Sequence, residues 1–396
     1  MSVTVTALQD AGVRVLDCEH KTPAAQRFGH PYIAIPDIQD GRVVLDQVRL
    51  ISDDNLAEWT RRTVPIKGDI LVTRRGRVGD TAPVPDVPCA IGQNIVLLRS
   101  DGTKVHKDFL RWAVRSPEWW SEVERLLNVG AVFSSLNVKD IGRIRLSIPP
   151  IAEQQAIAEV LGALDDKIAA NTALADTAEQ MLRAEIDAAW LRSEGRSSTL
   201  SDFVEINPKV AVPRTDSAVY IDMKRLPESG WSINGFDYRE PRGGARFRNG
   251  DTLLARITPC LENRKTGFVD HLEDGQVGIG STEFIVLRSR NDVAAPISFL
   301  LATAPRFRDH AIQHMIGTSG RQRVAASDLA SFEMPTPEPG WLSDFGGRAE
   351  AIFEAISMHS AENRTLAATR DALLPQLMSG KVRVRDAEAT ASEAGV

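Results

Sequence analysis

Cysteine is scarce in this chain. Three residues in 396, Cys18, Cys89 and Cys260, stand far apart and form no Cys-x-x-Cys pair. That excludes a disulfide framework and a cysteine zinc site, and it fits a reducing compartment. A Gly-x-x-x-x-Gly-Lys-Ser/Thr stretch is absent, so there is no P-loop ATP motor. Gly278-Ile279-Gly280 lacks the third glycine of a dinucleotide fingerprint. No apolar run approaches the roughly 20 residues that cross a bilayer. Met1-Ser2-Val3-Thr4 opens without the basic and apolar regions of a secretion signal. The expectation is a cytoplasmic protein with no membrane partner.

Net charge is −6, which at first argues against a nucleic-acid binder. Its distribution argues otherwise. Residues 1–148 carry a net charge of +2 and residues 196–335 a net +1, whereas 149–195 and 336–396 carry −6 and −3. Local patches set nucleic-acid affinity, so the overall balance does not exclude it. With 43 % apolar and 25 % charged residues the composition is that of a soluble globular protein, and the length suits two or three domains.

What is present is organised around Ile151 to Trp190. Pro149 and Pro150 precede this stretch, and Glu153 falls in its first turn, where the helix dipole favours an acid. One stripe at helical spacing runs Val160, Leu164, Lys167, Asn171, Leu174, Ala178, Met181. A parallel stripe runs Ile157, Leu161, Ile168, Ala175, Leu182. A helix of about 40 residues would span roughly 60 Å, longer than a domain core requires. A shift of 192 positions carries Val160, Leu164, Asn171, Leu174, Met181 and Leu182 onto Ile352, Ile356, Asn363, Leu366, Leu373 and Leu374. An asparagine repeated within a seam, Asn171 and Asn363, costs stability but sets register. The plainer reading puts both amides at the solvent edge.

The flanking blocks also repeat. Tyr220-Ile221 matches Tyr32-Ile33, and Gly250-Asp251 through Arg256 matches Gly68-Asp69 through Arg74. Phe284 to Ser289 matches Asn94 to Ser100, the loop Gly317 to Arg323 matches Gly130 to Asn137, and Asp328 matches Asp140. Loops between these markers diverge, as in two copies of one binding module. The chain divides into a module at 1–148, a long helix at 149–195, a second module at 196–335, a second long helix at 336–381, and a tail at 382–396 expected to be disordered. The expected fold class is α+β, with two pseudo-repeated α/β modules joined by two long helices in an antiparallel coiled coil. Such a rod would hold the modules at its two ends, a geometry that suits duplex DNA with two sites at fixed separation.

The layout, the start Ile148-Pro149-Pro150-Ile151-Ala152-Glu153-Gln154, the Gly-Asp turns and the ending Leu373-Leu374-Pro375-Gln376-Leu377-Met378-Ser379-Gly380-Lys381 resemble the specificity subunits of type I restriction-modification systems. The resemblance spans nearly the whole chain. It implies two target-recognition domains, each reading half of a bipartite DNA sequence, with the coiled coil setting the unread spacer. It implies a non-catalytic subunit that binds no cofactor itself. Its partners would be double-stranded DNA, two methylation subunits that use S-adenosylmethionine to methylate adenine N6, and restriction subunits that use ATP and Mg. Glu153 and Gln154, with Asp165 and Asp166, are then outward residues that could meet the methylation subunit. The second helix starts Met334-Pro335-Thr336-Pro337-Glu338-Pro339-Gly340 and lacks the Glu-Gln pair, a departure from the first.

Enzyme motifs fail on inspection. Asn207-Pro208-Lys209-Val210 begins like an adenine-methyltransferase tetrapeptide but lacks the second proline and the aromatic that would stack on a flipped base. Pro88-Cys89 and Pro259-Cys260 have no partner motif and read as packed cysteines. Nucleic-acid contacts are better supported. Arg74, Arg75 and Arg77 flank glycines that let a backbone approach phosphates. Arg242, Arg246 and Arg248 lie near Gly243 and Gly244, with Tyr238 and Phe247 interleaved, and Arg256 ends the matched strand. Arg321, Gln322 and Arg323 carry side chains that can pair with guanine and adenine edges, and Ser134, Ser135, Asn137 and Lys139 occupy the matching loop. For each residue singly, a solvated charge or surface ion pair is the competing reading. At the level of the whole chain, the rivals are a coiled-coil scaffold joining two protein-binding modules and a solitary DNA-modifying enzyme.

Overall fold

The computed structural model describes residues 4–19, 21–45, 47–129, 134–193, 195–211, 215–233, 235–318, 320–336, 338 and 340–396. Gly130 to Phe133, Ser319, Pro337 and Pro339, which belong to the matched loops and the second helix start, lie outside them. The chain forms two compact units, Met1–Lys167 with Thr365–Val396, and Ile168–Arg364.

The first unit is built on a four-stranded antiparallel sheet, ordered Val13–Asp17, Ile95–Ser100, Ile70–Thr73, Thr81–Pro83. Thr4–Ala7 pairs with Arg145–Ile148 beside it. A smaller sheet joins Arg49–Ile51, His30–Ile33 and Ala90–Ile91, the last two in parallel. The central strand Ile95-Val-Leu-Leu-Arg-Ser100 is almost continuously apolar because both its faces are covered, so it shows no alternation. Trp112, Trp119 and Phe109 on the helices Lys107–Ala113 and Pro117–Leu126 are fully buried. Pro117 opens the second of these, where its missing N–H costs nothing, and the Ser116 hydroxyl caps it by accepting from the Trp119 N–H.

The second unit repeats this topology. Its four-stranded sheet runs Val204–Ile206, Phe284–Ser289, Asp251–Ala255, Thr266–Phe268, all antiparallel. Ser197–Thr199 pairs with Glu333–Pro335. The smaller sheet, with one more strand, again contains a parallel pair, Ala218–Ile221 beside Gly278–Gly280. The fold is therefore α+β with an internal structural repeat.

The Gly-Asp turns have a physical cause. Gly68 and Gly250 sit at φ 92° and 85°, which a side chain would strain. The following aspartates are buried. Asp69 accepts two bonds from Arg99 at 2.6 and 2.7 Å, and Asp251 two from Arg288 at 2.6 Å each. Each also accepts the backbone N–H three residues back, from Ile66 and Arg248. A strand start is thereby locked to its neighbour in both modules.

The central helix, Ile151–Leu191, begins in the first unit and ends in the second; the second long helix, Trp341–Met378, does the reverse. Within the second unit they run antiparallel, with Glu185 on Arg348 at 2.7 Å and Asn171 on Asn363 at 2.9 Å. Ile157, Leu161, Leu164, Ile168 and Leu182 are buried. Leu174 and Met181, expected in the seam, are instead 53 % and 49 % exposed, because the packed face drifts away from their stripe along so long a helix. Phe345 and Phe353 bury themselves in the second module, Phe353 edge-on to Trp231 and Phe268. In the first unit the join is ionic. Asp165, 6 % exposed, is held by Arg111 and Arg370, with Arg42 and Arg115 at 3.7 and 4.0 Å.

Three sequence expectations fail here. Gln154 does not face outward but is fully buried. Its Oε1 accepts from the His106 N–H at 2.6 Å, and its Nε2 donates to the carbonyls of Lys104 and Pro149 at 2.8 and 2.7 Å. Asp165 is likewise inside its arginine cluster. The tail is not disordered either: Val384–Glu393 is a helix, with Ala387 and Ala391 buried. Their spacing of four puts them on one face, a signal that a polar composition concealed.

A candidate nucleic-acid interface built twice

The end of the central hairpin strand carries the same junction in both modules. In the first, the Arg74 N–H donates to the Asn94 carbonyl at 2.7 Å and its own carbonyl accepts from the Leu136 N–H at 3.0 Å. Arg75 bridges Ser135, which sits on the short strand Ser134–Ser135. In the second, the Arg256 N–H donates to the Glu283 carbonyl at 3.0 Å and its carbonyl accepts from the Val324 N–H at 3.0 Å. Ile257 bridges Arg323, and the Thr258 N–H donates to the Gln322 carbonyl at 3.0 Å. A strand end bearing arginine is thus tied to a polar loop more than 60 residues further on in each copy.

The structure brings together Arg74, Arg75, Ser134 and Ser135 in one module, and Arg256, Gln322 and Arg323 in the other. Arg321 and Lys139 are exposed nearby in sequence. Asn137 is exposed, and its Nδ2 donates to Asp140 at 2.9 Å. Other residues are otherwise engaged. Arg77 donates to the Ile35 carbonyl at 2.7 Å and to that of Ile38, and pairs with Asp80 at 3.3 Å, so its guanidinium staples a neighbouring turn. Arg242 makes an open surface pair with Glu240 at 2.8 Å. Arg248 precedes the strand Asp251–Ala255 and Arg256 follows it, so the two are about 17 Å apart at a strand rise near 3.3 Å. Arg323 grips both oxygens of Glu283 at 2.7 to 3.1 Å, and this hydrogen bonding holds the Glu283 carboxyl below its usual range.

In the second module Arg246 and Arg256 line an open groove together with Lys209 and Thr282. Arg246 is steadied by the Val210 carbonyl at 2.9 Å. Gly244, at φ 84°, lies so close to the Gly280 carbonyl that a Cβ would sit 2.1 Å from its oxygen. Nearby on the same sheet the Arg239 guanidinium stacks 3.8 Å over Tyr220, and Tyr238 is 64 % exposed. Lys209, Thr282, Tyr220 and Arg239 escape sequence reasoning as site residues because only the folded module brings Lys209 and Thr282 into the groove and pairs the strands of Tyr220 and Arg239. Asn207 proves structural. It sits at φ 52° and its Oδ1 accepts from the Val286 N–H at 3.0 Å, closing a strand end. Phe247 is core.

The cysteines are not poised for chemistry. Burial pushes the Cys18 thiol up to about 12 and Cys89 up to about 11. Among the described residues no group of three His, Cys, Asp or Glu side chains could hold a metal ion. No helix among them is long and apolar enough to cross a membrane.

Comparison with known proteins supports a common reading of this architecture. Residues 21–180 match the family profile described as a type I restriction modification DNA specificity domain. The type I restriction enzyme EcoAI specificity subunit of Escherichia coli is 30 % identical over 146 residues, 35 % of this chain and 25 % of that protein. The match thus spans a quarter of the length of that relative. A putative type I restriction enzyme MjaX specificity subunit of Methanocaldococcus jannaschii is 20 % identical over 384 residues, 91 % of this chain and 88 % of that one. The crystal structure of the type I restriction-modification S subunit from M. genitalium shares the fold, with a TM-score of 0.54 at 14 % identity over 95 % of this chain and 96 % of that one.

Proposed function

Since the chain belongs to the family of type I restriction-modification specificity subunits, we propose that it reads a bipartite DNA sequence, one half per module, and directs partner-catalysed adenine N6 methylation and restriction. The observation that carries this reading is the doubled junction, in which an arginine at a strand end is joined to a polar loop in each module. A duplex offers two half-sites, and phosphate contacts position while base-edge contacts specify.

In the first module the contacts would come from Arg74, Arg75, Ser134, Ser135, Asn137 and Lys139. In the second they would come from Arg246, Arg256, Arg321 and Gln322, with Arg323 able to exchange Glu283 for a base edge. Arg242 and Arg248 would add outlying charge. The antiparallel helices would set the unread spacer, with the Asn171–Asn363 pair fixing their register. Catalysis would belong to the partners. Methylation subunits would supply S-adenosylmethionine chemistry on an adenine taken out of the stack, and restriction subunits would supply ATP and Mg chemistry. Glu153, half-buried at the helix start, remains a partner contact in this proposal.

The test is an adenine-methylation profile of a host with and without this chain, its methylation subunit present in both. Loss of one bipartite motif is the expected result. An unchanged profile in cells shown to assemble the complex would favour a scaffold joining protein-binding modules.

A further inference from the structure

The two modules are a built-in comparison, because whatever both keep has a shared reason. Both keep the Gly-Asp turn, and its aspartate is matched internally by Arg99 or Arg288. Both keep a tyrosine: the Tyr32 hydroxyl donates to the Lys21 carbonyl at 3.0 Å, and Tyr220 supports Arg239. Both also keep the arginine at the strand end, Arg74 and Arg256. For this pair no described carboxylate is committed as a partner, although Glu283 feels the charge of Arg256.

Neither arginine forms an ion pair among the described residues. In each, the Nε is shielded from solvent without a hydrogen-bond partner. Arg74 has one long bond, Nη1 to the Leu136 carbonyl at 3.4 Å. The carboxylate nearest Arg256, Glu283, has both oxygens taken by Arg323. Yet the backbone around each arginine is bonded alike, through Asn94 and Leu136 in one copy and Glu283 and Val324 in the other. A guanidinium kept in place, with its Nε unpartnered and no ion pair of its own, is set for an anion from outside.

We propose that Arg74 and Arg256 are a matched pair of phosphate clamps, one per module, each gripping the DNA backbone of its half-site without regard to base. This deepens the DNA-recognition reading above and rests on it. Residues that read bases should differ between modules that read different half-sites. A residue held constant contacts what the half-sites share, the phosphodiester. The open groove beside Arg256, with Lys209 and Arg246 on its walls, gives a backbone room to approach.

The experiment compares the full-length chain with its R74Q, R256Q and double variants on a mixed-sequence duplex, by fluorescence anisotropy across salt concentrations. Each lost clamp should lower the slope of log affinity against log salt by about 0.9. R74K and R256K should restore it, and selection from a randomised duplex pool should return the wild-type preference. If a Gln variant unfolds, Arg→Met at the same position keeps the apolar stem and tests the same loss of charge. An unchanged slope in a chain whose wild type binds steeply with salt overturns the clamp alone. A shifted base preference also overturns it, by making the arginine a base reader. Absence of salt-sensitive binding by the wild type overturns the DNA reading and the clamp with it.

Discussion

Asp251 shows what a single buried side chain decides. Burial pushes its carboxyl above the usual range despite the bidentate Arg288, so desolvation outweighs the pairing. Removing the acid alone strands a buried guanidinium. D251A should therefore destabilise the chain by about 3–5 kcal/mol, while D251L combined with R288M should recover most of that loss. Denaturant midpoints of the two variants check it, and equal losses would contradict it. Gln154 offers a second test. A surface contact could be removed without affecting folding, whereas Gln154 satisfies three backbone groups in the interior. Q154A is expected to lower stability by roughly 2–4 kcal/mol, summed over the groups it leaves unpaired. A variant that folds with wild-type stability but fails to assemble with a methylation subunit would restore the outward reading.

The long helices are joined to their modules by different chemistry. At the position of Gln154, shifted by 192, stands Gly346, where an added Cβ would lie 2.8 Å from that of Ala294. A hydrogen-bonded glutamine in one copy is replaced by close apolar approach in the other. The missing Glu-Gln pair of the second start is thus a change of packing. In the seam, the Asn171 Nδ2 donates to the Asn363 Oδ1 at 2.9 Å and to Glu362 at 2.7 Å. Replacing both asparagines with leucine should raise the melting temperature, and replacing one should lower it, because a lone buried amide loses its partner. Calorimetry decides, and a double variant less stable than either single one would contradict the pairing. Asp270 ties the second module to the second helix. Burial pushes its carboxyl up, but bonds from His271 and Ser357 and the charges of His271 and Arg364 outweigh this and hold it below the usual carboxylate range. A depressed carboxyl stabilises the fold above the unfolded value and loses that effect as pH falls through the folded one. The stability gap between wild type and D270N should be full above the ordinary carboxylate range and close as the solution is acidified below that range. A gap that persists in acid would assign the effect to packing.

On the scale of the whole molecule, the proposed ruler role makes a geometric prediction. A seven-residue insertion near both Asn171 and Asn363 adds about 10 Å of helix, or roughly three base pairs at 3.4 Å each. The methylated motif should keep both halves and gain about that spacer. An unchanged spacer in an active complex would remove the helices from that role. Net charge was a poor guide at this scale. The acidity lies mostly in the long helices, and the groove with Lys209, Arg246 and Arg256 lies within a module that is nearly neutral overall.

Periodicity and repetition were legible in the chain itself. The two long helices, the doubled module and the Gly-Asp turns follow from local rules, since helical spacing, positive-φ glycine and strand alternation act over a few residues. The Asn171 and Asn363 repeat was visible as a pattern, though only the packed helices show that the two amides meet. What tertiary structure decided depends on which surfaces are brought together. It turned Leu174 and Met181 outward, buried Gln154 and Asp165, ordered the tail on Ala387 and Ala391, and spent Arg77 on carbonyls of a turn that is near in space but remote in sequence. It also left Arg74 and Arg256 as the shared arginines whose Nε the fold does not satisfy. Satisfaction of a polar group is a property of its whole neighbourhood, assembled from segments far apart in the chain, and no local pattern encodes it.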